Sequence, residues 1–256
     1  MDHILLDFIK LCHTVRPEYI TLLSIFVSGV CIVFCHRFFG LIGLFVYNIL
    51  AVILANIQVL RLCQFSLVEH PMALGTVLFS TTFLVSDIIN ELYGSENAKN
   101  NVKYCFLASV LCTVLMITDL GHRPVSETDP AYRAMMELFV PSLRILTSSL
   151  LAFFISQWFD VAFFKWFKVV LNNRLLWLRT LVVSLVSFLL DNILFCYLAW
   201  YILSPTPLPF DEIFKTYVMG TYLTRVVLGV LLIPVIYICR NHLKKITAAY
   251  SERKIK

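Results

Sequence analysis

The amino-acid sequence predicts an all-α, polytopic membrane helix bundle. Three observations predict it. Apolar types make up 59% of the 256 residues and charged types only 14%, whereas a soluble domain carries about 25% charge. The apolar residues gather in seven segments, at about 19–35, 40–60, 72–89, 102–120, 145–164, 176–203 and 213–239. Each is near the roughly 20 residues that cross a hydrocarbon core. The connections are short, and none is long enough to hold a separate soluble domain.

Residues 2–16 place Ile4, Leu5, Phe8, Ile9, Leu11 and Cys12 at helical spacing, which suits a short amphipathic helix lying on the bilayer. Arg16-Pro17 marks a break. Segment 19–35 follows Asp2, Asp7 and Glu18 and has no small-residue cleavage site after it, so it reads as a retained helix and not a signal peptide. Segment 40–60 contains Asn48 and Asn56, residues that in a span hydrogen-bond a neighbouring helix or meet a solute. Segment 72–89 closes on Ser86-Asp87-Ile88-Ile89-Asn90-Glu91-Leu92-Tyr93-Gly94. If the helix continues there, Asp87, Asn90, Glu91 and Gly94 share a face, because residues three and four apart are neighbours.

The polar link 90–101 is then a loop or an extension of that helix. The longest connection, 121–143, holds Gly121, His122, Arg123, Pro124, Glu127, Asp129, Pro130 and Pro141, which suits a surface loop with a short helix over 131–138. Segment 145–164 places Ser149, Ser156, Gln157 and Asp160 near one face. Segment 176–203 bears a stripe of Thr180, Ser184, Ser187 and Asp191, followed by Asn192. Both segments contain Ser-x-x-x-Asp-x-x-x-Phe, at 156/160/164 and 187/191/195, a spacing compatible with an internal duplication. The last segment presents Tyr217, Thr221, Thr224 and Arg225 on one face, with Gly220 and Gly229 for close approach and Pro234 for a kink. The chain therefore divides into an N-terminal amphipathic segment and extra helix (1–38), a six-helix core (39–240) and a basic tail (241–256).

Orientation follows from Lys and Arg in the connections. With the C-terminus in the cytoplasm, the inner side holds thirteen of the 21 basic residues and the outer side seven, with Arg225 inside a span. The excess favours an external N-terminus and a cytoplasmic C-terminus.

Asp191 and Arg225 fall near the middle of their spans. Unpaired, the two together cost on the order of 5–7 kcal/mol on insertion scales. They must pair, line water or bind something. An Asp191–Arg225 ion pair that only fixes packing is one outcome. It leaves Asp87 and Asp160 without partners, and four ionisable residues in four spans suit a solute site or a proton path.

Other classes of function find little support. The six His lie in loops or at span ends, with no pair at ligand spacing, no nucleophile elbow and no phosphate loop, so neither an enzyme nor a metal or other cofactor is expected. The eight Cys sit mostly in apolar runs and form no Cys-x-x-Cys pair. Lys and Arg form no dense basic run, which excludes a nucleic-acid surface.

Specific motifs resemble a known family. They are Asp87-x-x-x-Glu91-x-Tyr93-Gly94 closing a Phe/Leu-rich segment and Asn56 near the end of the first core helix. Arg144 opens a Ser/Thr-rich helix that reaches Ser156-Gln157-x-x-Asp160-Val161. Asp191 follows in the next helix, and Arg225 stands ahead of Pro234 in the last. Together, over residues 41–240, they resemble the queuosine precursor transporter family, also called the vitamin uptake transporter family. That family is usually described with six spans and both ends in the cytoplasm, so segment 19–35 is an added helix here.

The resemblance implies a bacterial inner-membrane importer of 7-deazaguanine bases such as preQ0, preQ1 or queuine, salvaged for tRNA modification. The implied solute contacts are Asp87, Asn90, Glu91, Arg144, Ser156, Gln157, Asp160, Asp191, Asn192 and Arg225. A guanine-like edge offers two parallel donors that one carboxylate accepts together, so Asp160 or Asp191 would read it. Arg225 and Gln157 would meet the acceptor edge, and Asp87 or Glu91 would hold a counter-charge near the cytoplasmic exit. Phe83, Phe153, Trp158 and Phe195 are candidate stacking faces. The partners expected are a small deazapurine solute and the lipid bilayer, with a homo-oligomer left open. The alternative is a membrane substrate-binding subunit for a vitamin-like solute that works with a separate ATP-driven motor.

Overall fold

A computed structural model describes residues 2–65, 72–126, 128–139 and 143–255. Glu127 and Pro141 of the long connection, and His70, fall outside them. The chain folds as a bundle of helices: α1 (Asp2–Thr14), α2 (Pro17–Gln58), α3 (Gly75–Tyr93), α4 (Ser95–Leu120), α5 (Pro130–Phe139), α6 (Leu143–Val170), α7 (Leu176–Tyr197), the short α8 (Phe210–Glu212) and α9 (Met219–Ile255). Two wide π-type turns, Leu198–Ile202 and Ile213–Val218, flank the connection from α7 to α9. A two-residue antiparallel pair, β1 (Leu62–Cys63) and β2 (Met72–Ala73), ties the link between α2 and α3.

Five of these helices are long and apolar enough to cross a membrane. Their outward faces confirm the solvent they require. Phe26, Phe34, Phe38, Ile42, Leu107, Leu111, Leu115, Trp166, Leu223 and Val227 are all exposed. An apolar belt of that extent has no soluble counterpart and belongs against lipid. The protein is an all-α, multi-pass membrane protein.

The expected segments 19–35 and 40–60 both lie within α2, which is broken at Gly40. That residue has φ 59° and ψ −132°, outside the helical region. The chain folds back there. Gly29 lies against Val235 and His36 against His242, seven residues further on in both strings, so the first half of α2 runs parallel to the end of α9. Tyr47 of the second half lies beside Ser28, Cys31 and Cys35 of the first. Gly43 comes so near Cys35 that a Cβ there would overlap the Cys35 carbonyl oxygen. Each half is long enough to span, at about 34 Å and about 27 Å for a rise of 1.5 Å per residue.

The link 90–101 is not a loop. Helix α3 runs to Tyr93, Gly94 turns the chain at φ 89°, and α4 starts at Ser95. Glycine enters that left-handed region without a Cβ penalty. The short helix expected over 131–138 is present as α5. Helix α9 continues unbroken from the core through residue 255, so no structural boundary marks position 240.

Helix α3 is the axis of the bundle. It packs against α2, α4, α6, α7 and α9. Every residue from Phe79 to Asn90 is buried. Being enclosed on all sides, α3 shows no polar face. Its polar residues, Ser80, Thr81, Thr82, Ser86, Asp87 and Asn90, point into neighbouring helices and not into water. Around it Leu84, Val85, Ile88 and Ile89 join Ile32, Leu44, Val161, Phe164, Val183 and Leu232 in the main apolar core.

Candidate functional site

The polar groups of α3, α6, α7 and α9 form a column along the axis of the bundle. At one end the Asn192 amide donates to Thr221 Oγ1 (2.7 Å) and to the Val218 carbonyl (3.2 Å), joining α7 to α9. One residue away, Arg225 Nη1 pairs with Asp191 Oδ2 at 2.6 Å, and the Ser156 hydroxyl donates to Asp191 Oδ1 at 3.0 Å. Next, Gln157 bridges α6 to α3. It accepts from Ser86 Oγ at 2.6 Å and donates to Thr82 Oγ1 at 3.0 Å. A turn further on, Asp160 of α6 faces Asp87 of α3, with Ser187 and Ser184 of α7 beside them. Asn90 then donates to the Val161 carbonyl at 2.9 Å. The column ends at Glu91, whose Oε2 meets Lys168 at 2.9 Å and Arg179 at 3.1 Å. From Ser156 to Lys168 it follows twelve residues of α6, about 18 Å.

Two of the four intramembrane acids are therefore neutralised in place. Asp191 has Arg225, and Glu91 has Lys168 and Arg179. The other two are not. Asp87 and Asp160 are fully buried, and none of their four oxygens receives a hydrogen bond. A buried polar group left unsatisfied costs about 1–3 kcal/mol, and a charged one more.

The Ser-x-x-x-Asp motifs of α6 and α7 interlock. Ser156 of the first donates to Asp191 of the second, and Ser187 of the second stands beside Asp160 of the first. Antiparallel packing of two copies of one motif gives this exchange about a local two-fold. It turns Asp160 toward α3 and Asp191 toward α9.

Residues 73–239 match a family model described as "Putative vitamin uptake transporter". The matched stretch contains every residue of the polar column. The chain belongs to the vitamin uptake transporter family. It is also 30% identical over 207 residues, 80% of this chain and 87% of the other, to a Bacillus subtilis protein named "Probable queuosine precursor transporter". No solved structure matches.

In this vitamin uptake transporter, nine of the ten residues singled out from sequence lie in or against the column. Arg144 does not. Its guanidinium lies over the Trp200 ring, 5.2 Å from the centroid, and reaches Ser204 at 3.4 Å, at the end of the bundle away from Glu91. Among the candidate stacking faces, Phe83 is buried edge-on to Phe188 at 5.1 Å, and Phe188 lies 6.0 Å beneath Arg225. Trp158 packs on Phe154 with Lys99 and Lys103 over its ring.

Several column residues were not singled out from sequence. Arg179 counts there only as one more inner-side cation, yet it is fully buried and reaches across to α3. One signal was available: Arg179 sits one residue ahead of the Thr180/Ser184/Ser187/Asp191 stripe. Lys168, Thr82 and Ser86 had no such mark. Asn56, weighed between packing and solute contact, accepts from Ser149 at 2.7 Å. It also lines a small hollow of about 30 Å³, room for about one water, together with Ser109, Thr113, Leu138 and Phe139. Among the described residues, no group of three or more His, Cys, Asp or Glu could hold a metal ion.

Proposed function

We propose that this protein imports queuosine precursors, 7-deazaguanine bases, across the bacterial inner membrane for salvage into tRNA. The observation that carries the reading is the polar column through an otherwise apolar bundle, with two acids in it left without a cationic partner. The relative's printed function supports the class of solute. The chemistry agrees with it. A deazaguanine presents N1–H and a 2-amino group side by side, and a carboxylate accepts both. Asp160 is the first candidate for that contact because it is fully buried and, unlike Asp191 and Glu91, is not held in an ion pair. Gln157, with a donor and an acceptor on one amide, complements the opposite edge. Asp191 and Arg225 reach solute only when their ion pair parts, so they are assigned to the transition between states. Asn90, Glu91 and Asn192 hold the helices on either side of the site. Arg144 is assigned to the outer entrance.

The test is complementation followed by reconstitution. A cell unable to make the precursor and lacking its own importer is given this chain, and queuosine in tRNA is scored with each base supplied outside. Restoration is expected with at least one base. The purified chain alone in vesicles is then expected to take up labelled base. Complementation that needs an ATP-driven partner, with inert vesicles, would replace this reading by that of a binding subunit. Wild-type uptake by both Asp160→Asn and Asp191→Asn, at matched expression, would remove the assigned contacts.

A further inference from the structure

The couple formed by Asp87 and Asp160 has a chemistry of its own. The two carboxyl groups are fully buried and stand within hydrogen-bonding reach of each other. Among the described residues, only the hydroxyls of Ser184, beside Asp87, and Ser187, beside Asp160, stand near enough to donate. The Ser187 hydroxyl is itself buried and has no partner other than Asp160. A carboxylate only accepts hydrogen bonds, so two of them in contact repel. A single proton removes the conflict, since the protonated group then donates to the other.

The surrounding charges call for the same number. From α7, Arg179 is bound to Glu91 and Asp191 is bound to Arg225 of α9. From α6, Lys168 is bound to Glu91. From α4, Lys99 and Lys103 lie over the Trp158 ring. From α2, Tyr47 donates to Thr81, and His36 lies beyond Glu91 against Tyr93. Around the couple, four acids (Asp87, Glu91, Asp160, Asp191) thus meet three cations (Lys168, Arg179, Arg225). One proton makes the interior neutral.

We infer that Asp87 and Asp160 share one proton and form the proton-binding site through which solute entry is coupled to proton entry. The coupling rests on the importer reading; the shared proton does not. One proton enters with each solute molecule. It is taken up by the couple from the outside and released to the cytoplasm past Glu91.

Two measurements on the full chain test this. Infrared difference spectra of the purified protein, titrated across neutral pH, report the carbonyl stretch of a protonated, buried carboxyl group. One such band is expected in the wild type and is expected to be lost in both Asp87→Asn and Asp160→Asn, with helical content and monodispersity as controls. No band at any pH, or a band that survives both substitutions, overturns the shared proton, and the wild-type titration decides this even if a variant fails to fold. In vesicles with an internal pH indicator, an outside-acid gradient is expected to raise labelled 7-cyano-7-deazaguanine accumulation several-fold, with matching internal acidification and loss of both on adding a protonophore. Solute exchange that ignores the pH gradient, or that follows a sodium gradient, overturns coupling and leaves the importer reading standing. No uptake or exchange of any 7-deazaguanine base overturns both the importer reading and the coupling, while the infrared band still decides the shared proton.

Discussion

At the scale of single residues, the Asp191–Arg225 pair shows how a buried charge constrains its partner. Each side chain is 8% exposed, and the two meet at 2.6 Å. Removing one partner leaves the other charge unpaired, which costs about 3–5 kcal/mol, more than removing both together. Asp191→Asn is therefore expected to lower the thermal midpoint in detergent clearly. The double variant Asp191→Leu with Arg225→Met is expected to recover most of it while remaining inactive in uptake. A double variant no more stable than the single would show that the pair contributes little. Glu91→Gln is expected to act similarly, because fully buried Arg179 loses its carboxylate partner. Arg144→Ala is the contrast. Its contacts are a ring face and a long bond to Ser204 near the end of the bundle, and a loss under about 1 kcal/mol is expected.

The same residues show what a sequence can disclose about a site. Asp87, Asp160, Asp191 and Arg225 are legible because a charge inside an apolar segment has no cheap place to go. Arg179 is not legible by that rule. It stands near the start of α7, where a basic residue reads equally well as a positive inner flank. Whether Arg225 meets a solute or Asp191 was equally closed to sequence, since both outcomes satisfy the same desolvation cost.

At the scale of elements, backbone proximity decides which glycines matter. Gly40 and Gly43 build the reversal inside α2. At Gly40 a Cβ meets only the Tyr93 hydroxyl at 3.6 Å, but φ is +59°. An alanine there is strained by about 1–2 kcal/mol. At Gly43 and Gly75 a Cβ would overlap the carbonyl oxygens of Cys35 and Ala55, and backbone cannot yield as a side chain can. Gly43→Ala and Gly75→Ala are thus expected to reduce the yield of folded protein more than Gly40→Ala, read by gel filtration of membrane extracts. Equal yields would mean that the helices slide apart at little cost. The long helices were legible from hydropathy because each carries an apolar run near the roughly 20 residues that cross a bilayer. The turns were not. The one-residue turn at Gly94 lies in a polar stretch, Asn90 to Asn101, whose composition fits a loop as well as the helix ends it contains.

At the scale of the whole molecule, the parallel course of the first half of α2 and the end of α9 places Pro17 and Lys244 at opposite ends of the bundle. With the basic residues counted by side, we propose that the N-terminus is external. Single cysteines at positions 123 and 174, in a background with the native eight replaced, are expected to react with a membrane-impermeant thiol reagent only from outside and only from inside, respectively. The reverse pattern would invert the topology. Helix α1 shows exposed Ile4, Leu5, Leu6, Phe8, Ile9 and Leu11, and none of its described side chains joins a buried cluster. Deleting residues 1–15 is expected to leave the melting temperature of the remainder within a few degrees and to weaken only association with lipid.

The reversal at Gly40 also bears on how the chain is made. The two arms of α2 meet with no linker between them, so nothing there can be left behind in water while one arm waits for the other. The two arms are therefore expected to enter the bilayer together, as a closed pair. An insertion of a few flexible residues there should make the first arm separable, and with it the order in which the remaining helices are threaded.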